Sequence, residues 1–252
     1  MSITSVILMF IFIIIPIVIS KYFNLGIEKD TIIAAVRSFV QLLIVGYILQ
    51  FIFDQNSHIF IFLMILLIIG AATQNARKKG LAIPGITWKL LLAYVSVEII
   101  TQGILIGFKI TPATAQYMIP ISGMIIGNSM VLSILFLNRF MSEIKQNENV
   151  VKLILSLGGT PKQAVHKQLI TSIQSSIIPT IEQQKTIGLV QLPGMMSGQI
   201  IAGADPLDAV LFQILIVFVL LTAAVMTSVI LGFLSYPTLF NKHLQLIESR
   251  IK

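Results

Sequence analysis

Two ionisable residues, Arg37 and Glu98, fall inside long apolar stretches of the sequence. A charge at the centre of a membrane span costs about 2.5–3.5 kcal/mol on insertion scales, so such residues face a bundle interior or water. Gln41 follows Arg37 by one helical turn and shares its face. We expect either an ion pair between Arg37 and Glu98 that holds two helices together, or polar groups that line a translocation path. Arg37 lies near a predicted span end, so snorkelling to the interface is a third interpretation.

Two uncharged amides, Asn128 and Gln199, complete the set of candidate path-lining residues. Glu98 is the one member of this set that would attract a bare metal cation directly. A single carboxylate suits hard oxygen ligation poorly unless a second copy or water contributes. The sequence therefore leaves any metal ligands undefined.

The residues give little support for soft-metal binding or for catalysis. Thioethers are soft ligands that suit copper, but methionine also fills gaps in apolar packing, and packing is the preferred interpretation here. Ser197 in GMMSG has no histidine inside a span to act as its base, and the sequence has no GxxxxGK[ST]. We predict no catalytic residue and no cofactor in this chain. The methionines concerned are Met118, Met124, Met130, Met195 and Met196.

The composition is that of an integral membrane protein. Of the 252 residues, 56% are hydrophobic and 11% are charged, whereas an ordinary soluble domain has about 25% charged residues. The formal net charge of +7 is explained by Lys and Arg in cytoplasmic loops that set orientation and contact anionic lipid. The lipid bilayer is therefore an expected partner, and nucleic acid is not.

Apolar runs of about 20 residues predict an all-α, polytopic bundle of about seven transmembrane spans. Basic residues fall in alternate loops and in the C-terminal tail, which places the N-terminus outside and the C-terminus in the cytoplasm. Acidic residues such as Asp205 and Asp208 fall in the opposite loops. The predicted spans are 3–20, 31–53, 59–75, 88–108, 113–137, 186–204 and 207–234.

The longest polar interval, about 138–185, is predicted to be a structured cytoplasmic region within a single membrane domain that covers 1–252. Gly158 and Gly159 suit the left-handed C-terminal cap of a short helix. Thr160 and Pro161 then supply the N-cap and first position of a second helix, with Gln163 completing a capping box. The second helix is expected to end at Pro179. The pattern indicates a rigid cytoplasmic corner.

The stretch GLVQLPGMMSGQIIAGADP, residues 188–206, contains residues that break or pinch a helix at a predicted membrane depth. Irregular backbone there is tolerated mainly beside protein or a cavity, and broken spans are common in transporters. Pro193 and Gly194 are the candidate hinge. Pairs of glycines four apart predict close helix packing; they are Gly103–Gly107, Gly123–Gly127 and Gly194–Gly198.

Four segments resemble the Fet-type permease family, the small membrane subunits of ABC transporters. They are ARSFVQLLIVGYIL (35–48), LSLGGTPKQA (155–164), SIIPTIEQQKTIGLVQLPGMMSGQIIAGADPLDAV (176–210) and FQI (212–214). The resemblance implies a plasma-membrane permease, described in bacteria as a metal and iron exporter, that works with a separately encoded ATPase. It also implies that LSLGGTPKQA is the coupling element, although the Glu-Ala-Ala of importers is missing.

We therefore expect a homodimeric permease, itself not an enzyme, whose cytoplasmic corner of Gly158, Gly159, Thr160 and Pro161 docks on ATPase subunits. The alternatives are a secondary transporter that acts without an ATPase, and a membrane scaffold that transports nothing. The sequence does not determine the substrate, its binding residues or the direction of transport.

Overall fold

The computed structural model describes residues 11–55, 57–80 and 83–247. Within these residues the chain folds into nine α-helices and one short 3₁₀ helix, which confirms the all-α class. The helices are α1 (Ile11–Tyr22), α2 (Glu28–Gln55), α3 (His58–Arg77), α4 (Ile86–Gly107), α5 (Ala115–Gln146), α6 (Glu148–Ser156), α7 (Pro161–Thr186), α8 (Gly194–Ile201) and α9 (Pro206–Ser235), followed by the 3₁₀ helix Tyr236–Leu239.

The chain divides into two compact units between Ser57 and His58. In the first unit, α1 and α2 are joined by a tight turn in which Gly26 has a φ of 72°. The buried Ser20 side chain donates a hydrogen bond to Glu28 Oε1 at 2.8 Å across this turn. A hydroxyl–carboxylate contact thus closes the α1–α2 hairpin. The single domain over 1–252 stays a prediction.

Five helices are long and apolar enough to cross a membrane, namely α2, α3, α4, α5 and α9 with its 3₁₀ extension. They coincide with five of the predicted spans. The predicted span 3–20 overlaps the shorter apolar helix α1, and residues 3–10 lie outside the described residues. The protein is therefore a multi-pass helical membrane protein.

The predicted sixth span, 186–204, is wrong. Its helical part is α8, which has eight residues and spans about 12 Å at 1.5 Å per residue. That length is far short of a hydrocarbon core of about 30 Å. The neighbouring helix α7 is long enough, with 26 residues, but is not among the helices apolar enough to cross a membrane.

Helix α7 lies antiparallel to the membrane-crossing helix α9 along nearly its whole length. Near the start of α7, Lys162 Nζ lies 5.7 Å from the ring centroid of Phe233. Near its end, Gln184 Nε2 donates to the Val217 carbonyl at 2.9 Å. These contacts place α7 beside α9 from Val217 to Phe233. Residues 161–185 pack against the other helices of the second unit, and the predicted cytoplasmic location of 138–185 stays a prediction.

Serine and threonine side chains allow the polar helix α7 to be buried. Ser172 donates to the Gln168 carbonyl at 2.6 Å, and Ser176 donates to the Ile173 carbonyl at 2.7 Å. The Ser176 hydroxyl also lies 3.0 Å from that of Ser228 on α9. Such back-bonding satisfies hydroxyls inside the helix. The buried face of α7 thus tolerates a low-dielectric environment despite its polar composition.

The expectation that the helix ends at Pro179 is also wrong, because α7 continues to Thr186. A proline inside a helix removes one backbone hydrogen bond and kinks or breaks an isolated helix. Here the residues beyond it remain attached to the bundle through the buried Thr180 and through Gln184. Tertiary contacts therefore override the local signal.

Several basic residues of the second unit lie at one end of its helices. A Cβ on Gly80 would lie 3.0 Å from Leu137, which places the Arg77–Gly80 turn beside the later half of α5. Lys89 Nζ donates to Thr238 Oγ1 at 2.8 Å, so the start of α4 lies near the end of α9. This end is the cytoplasmic one by the positive-inside rule. We call it the inner end.

The opposite, outer end carries the start of α9 and the end of α7. Asp205 caps α9 by accepting from the Leu207 backbone N–H at 2.8 Å. Lys185, assigned by the charge pattern to the cytoplasm, lies at this end and pairs with Glu182 at 2.7 Å.

Cysteine labelling tests whether the two ends of α7 lie on opposite sides of the membrane. The chain has no cysteine, so labels at new sites have no background. Leu157, at 79% exposure, precedes α7, and Leu189, at 91% exposure, follows it. We expect a membrane-impermeant maleimide to label Leu189→Cys in intact cells and Leu157→Cys in inside-out vesicles. Labelling of both variants from the same side would contradict this prediction.

Candidate functional site

The inner end carries the predicted corner, and its geometry is as expected. Helix α6 ends at Ser156 and Gly158 follows with a φ of 85°. The Gly158 N–H donates to the Leu155 carbonyl at 3.0 Å, and the Gly159 N–H donates to the Ile154 carbonyl at 2.9 Å. This pair of bonds is a Schellman motif. It closes α6 with a defined chain direction.

A capping box begins α7 directly after this turn. The Thr160 hydroxyl accepts from the Gln163 backbone N–H at 3.3 Å, and Gln163 Oε1 accepts from the Thr160 backbone N–H at 2.8 Å. Pro161 occupies the first helical position. Both helix ends are satisfied locally, so the corner is rigid without help from other elements.

Helix α6 presents an apolar stripe away from the rest of the molecule. Val150, Leu153 and Leu157 lie on one face, and the latter two are 58% and 79% exposed. The opposite face is anchored by Val151, which is fully buried. We call Val150, Leu153 and Leu157 the α6 stripe.

The C-terminal loop 240–247 lies beside the corner, and the sequence analysis did not identify it. Asn241 Oδ1 accepts from the backbone N–H groups of His243 and Gln245, both at 2.9 Å. A hollow of about 630 Å³ lies between Gly158–Gly159 and residues 243–246. An asparagine that can fold its own following backbone is the local signal that could have indicated this loop.

A second polar cluster lies between α4 and α5. Glu98 is buried there and accepts a short hydrogen bond from the Ser122 hydroxyl. Gln102 Nε2 donates to Ser122 Oγ at 2.9 Å and to the Met118 carbonyl at 3.3 Å. Among the described residues, Glu98 Oε2 and Gln102 Oε1 have no hydrogen-bond partner. The expectation that Glu98 faces a bundle interior is confirmed.

A cavity of about 190 Å³ lies at the outer end between α5, α7, α9 and the segment 187–195. Asn128, one of the predicted path residues, lines it, and so do the hinge candidates Pro193 and Gly194. The cavity is also lined by residues that the sequence analysis did not choose as path-lining candidates. These are Met124, Thr180, Gln183, Gln184, Ile187, Gln191, Met195, Gln213, Ile216, Val217 and Leu220.

A comparison with protein families identifies the family of this chain. The model of an uncharacterised protein family, UPF0014, matches residues 3–240. The chain belongs to the UPF0014 family. The UPF0014 membrane protein YjkA of Bacillus subtilis is 54% identical over 99% of this chain and 100% of its own length.

Two further UPF0014 relatives have more descriptive names. The probable iron export permease protein FetB of Escherichia coli is 36% identical, over 98% of this chain and 96% of its own. The protein ALUMINUM SENSITIVE 3 of Arabidopsis thaliana is 34% identical, over 93% of this chain and 86% of its own. No solved structure matches this UPF0014 member.

The predicted path residues of this UPF0014 protein lie in separate parts of the structure. Arg37 and Gln41 lie on α2 in the first unit, and the pairing of Arg37 with Glu98 stays a prediction. Asn128 faces the outer cavity, whereas Gln199 lies on α8 with its Oε1 atom buried and without a partner among the described residues. The role of these residues in a path likewise stays a prediction, and so does hinge motion at Pro193–Gly194.

The glycine pairs do not pack as expected. A Cβ added at any of the six glycines would have no heavy atom within 4 Å in the described part of the chain. Close approach occurs instead at Gly232, where a Cβ would lie 2.9 Å from Leu169 and 3.3 Å from Phe136. Gly232 therefore sets the contact of α9 with α5 and α7. The six glycines are Gly103, Gly107, Gly123, Gly127, Gly194 and Gly198.

Substitutions at Glu98 test its structural contribution. Glu98→Gln keeps an acceptor oxygen for the Ser122 hydroxyl, whereas Glu98→Leu leaves that hydroxyl without its acceptor. We expect Glu98→Leu to lower the free energy of unfolding by about 1–3 kcal/mol more than Glu98→Gln, measured by denaturant unfolding in micelles.

The double variant Glu98→Leu/Ser122→Ala is the control, because it removes both members of the hydrogen bond. It should recover part of the lost stability. Equal stability of Glu98→Leu and Glu98→Gln would show that the contact contributes nothing.

Proposed function

We propose that this protein is the membrane-spanning permease subunit of an ABC transporter and that it exports a metal ion such as iron. The observation that carries the proposal is the inner-end corner. There the α6 stripe is exposed beside a turn closed by the Schellman motif and the capping box at Thr160. An exposed apolar helix face on a rigid turn is suited to dock a partner and transmit its motion.

The names of the relatives support transport of a metal. The Escherichia coli relative is named a probable iron export permease, and the Arabidopsis relative is named for aluminium sensitivity. The sequence contains no nucleotide-binding GxxxxGK[ST] motif. ATP hydrolysis is therefore assigned to a separate ATPase subunit, and this chain is not itself an enzyme.

The proposed mechanism is mechanical. Two permease copies form the pathway, and two ATPase subunits bind below the α6 stripes. ATP binding draws the ATPases together and moves the corners. Because Pro161 begins a single helix of 26 residues, motion at the corner reaches the outer end of α7 as a rigid-body displacement. Such displacement switches which side of the membrane the cavity faces.

Replacing one leucine of the α6 stripe with serine tests whether the stripe binds the ATPase. We expect Leu157→Ser to reduce co-purification of an ATPase subunit with the tagged permease in mild detergent, because an exposed apolar contact is lost. The matched control is Leu207→Ser, which alters a leucine of 67% exposure at the outer end and should leave retention unchanged. A native permease that never retains an ATPase would instead favour a secondary transporter or a scaffold.

A change within the turn tests coupling. A Cβ on Gly159 would lie 2.5 Å from Ile154 Cγ2 and 2.8 Å from the Ile154 carbonyl oxygen. We expect Gly159→Leu to distort the corner and abolish ATP-dependent uptake of ferrous iron into inside-out vesicles that contain both subunits, while membrane insertion is retained.

Gly158→Asn is the control for the turn. Gly158 has a φ of 85°, and asparagine tolerates the left-handed region better than other side chains. This variant should retain most of the uptake. Unchanged uptake in Gly159→Leu would refute the coupling role.

A further inference from the structure

The outer cavity is surrounded by side-chain amides whose orientation is determined by α9. Asn128 Nδ2 donates to the Leu220 carbonyl at 3.4 Å, and Gln184 Nε2 donates to the Val217 carbonyl at 2.9 Å. A backbone carbonyl can only accept, so the nitrogen of each amide must point to it. Each side-chain oxygen is consequently left as the group available to a ligand.

Gln213 adds a third acceptor to the cavity. Its side chain lines the cavity although the residue is 7% exposed, and Gln213 Oε1 has no partner among the described residues. A buried acceptor without a partner costs about 1–3 kcal/mol. A ligand that donates hydrogen bonds to this oxygen would recover that energy.

The charge of the cavity lining limits which ligands the cavity can bind. None of its described lining residues carries a formal charge. Nowhere within 11–55, 57–80 and 83–247 do three or more His, Asp or Glu side chains group as a metal site. Carboxylates are the usual ligands of dehydrated hard dications. The cavity is therefore poorly suited to strip water from such an ion.

We propose that the outer cavity is a binding site for the transported cation and that it holds the cation together with its water shell. Water bound to a cation donates hydrogen bonds outward, and amide oxygens of Asn128, Gln184 and Gln213 accept them. The cavity of about 190 Å³ exceeds several-fold the space that a single water needs, so it has room for more than one water beside the ion. The proposal rests on the proposed function in that it takes the cargo to be a cation.

Direct ligation by sulfur is the competing arrangement. Met124 and Met195 both line the cavity, and thioethers bind soft cations without water. In the first arrangement the ion keeps its water ligands, whereas in the second it exchanges them for thioether sulfur. An exchange-inert cation therefore separates them.

The test measures binding of hexaamminecobalt(III) and of silver(I) to the purified permease in micelles by calorimetry. Hexaamminecobalt(III) keeps its six ammine ligands, which donate hydrogen bonds as a water shell does. We expect it to bind at one site per chain, and we expect at least a tenfold loss of affinity in Gln213→Leu and in Gln184→Leu. Gln174→Leu, an exposed glutamine of α7 outside the cavity, should bind normally.

Thermal unfolding of Gln213→Leu should remain cooperative, with a midpoint at or above that of the native chain, so that loss of binding is separated from loss of fold. Absence of hexaamminecobalt(III) binding would overturn the proposal, as would binding unaffected by Gln213→Leu. Silver binding lost in Met124→Leu, without hexaamminecobalt(III) binding, would assign the cavity to sulfur ligation instead. These outcomes do not depend on an ATPase, so they are distinct from failure of the ABC assignment.

Discussion

The burial of one polar helix is the constraint on which the second unit depends. Helix α7 carries Ser172, Ser176 and Gln168 on its buried face. In hydrocarbon an unsatisfied polar group costs several kcal/mol, so this face must contact protein. The Ser176–Ser228 contact at 3.0 Å pairs two hydroxyls between α7 and α9, and Thr227 donates to Ser129 at 2.9 Å between α9 and α5, whereas Gln168 Oε1 has no partner among the described residues. These two hydroxyl contacts favour the packing of α9 against both α7 and α5.

The same helix connects the two places where function is proposed. Its first residue follows the corner, and its last turns line the outer cavity. A 26-residue helix is about 39 Å long, which is enough to link the two ends of a bundle. A single helix thus joins the proposed docking surface to the outer amides. That connection requires no chain of intermediate contacts to carry the motion.

Local rules were sufficient where both partners of a contact lie close in sequence. The corner was predicted because Gly158, Thr160 and Gln163 satisfy their own backbone within a few residues. The same local reasoning failed at Pro179, which appeared to end a helix. It failed because the attachment beyond the proline comes from α9, where the carbonyl of Val217 holds Gln184.

The sequence by itself determined the membrane class, the five long apolar helices, the alternation of charged loops and the corner, because each depends on composition or on neighbouring residues. Only the tertiary structure decided that residues 186–204 form no single long helix and that α7 packs along α9. Average polarity describes the whole helix, whereas burial depends on one face and on the α9 side chains opposite it. The outer cavity was decided in the same way, since the orientation of Asn128 and Gln184 depends on carbonyls that lie 92 and 33 residues away.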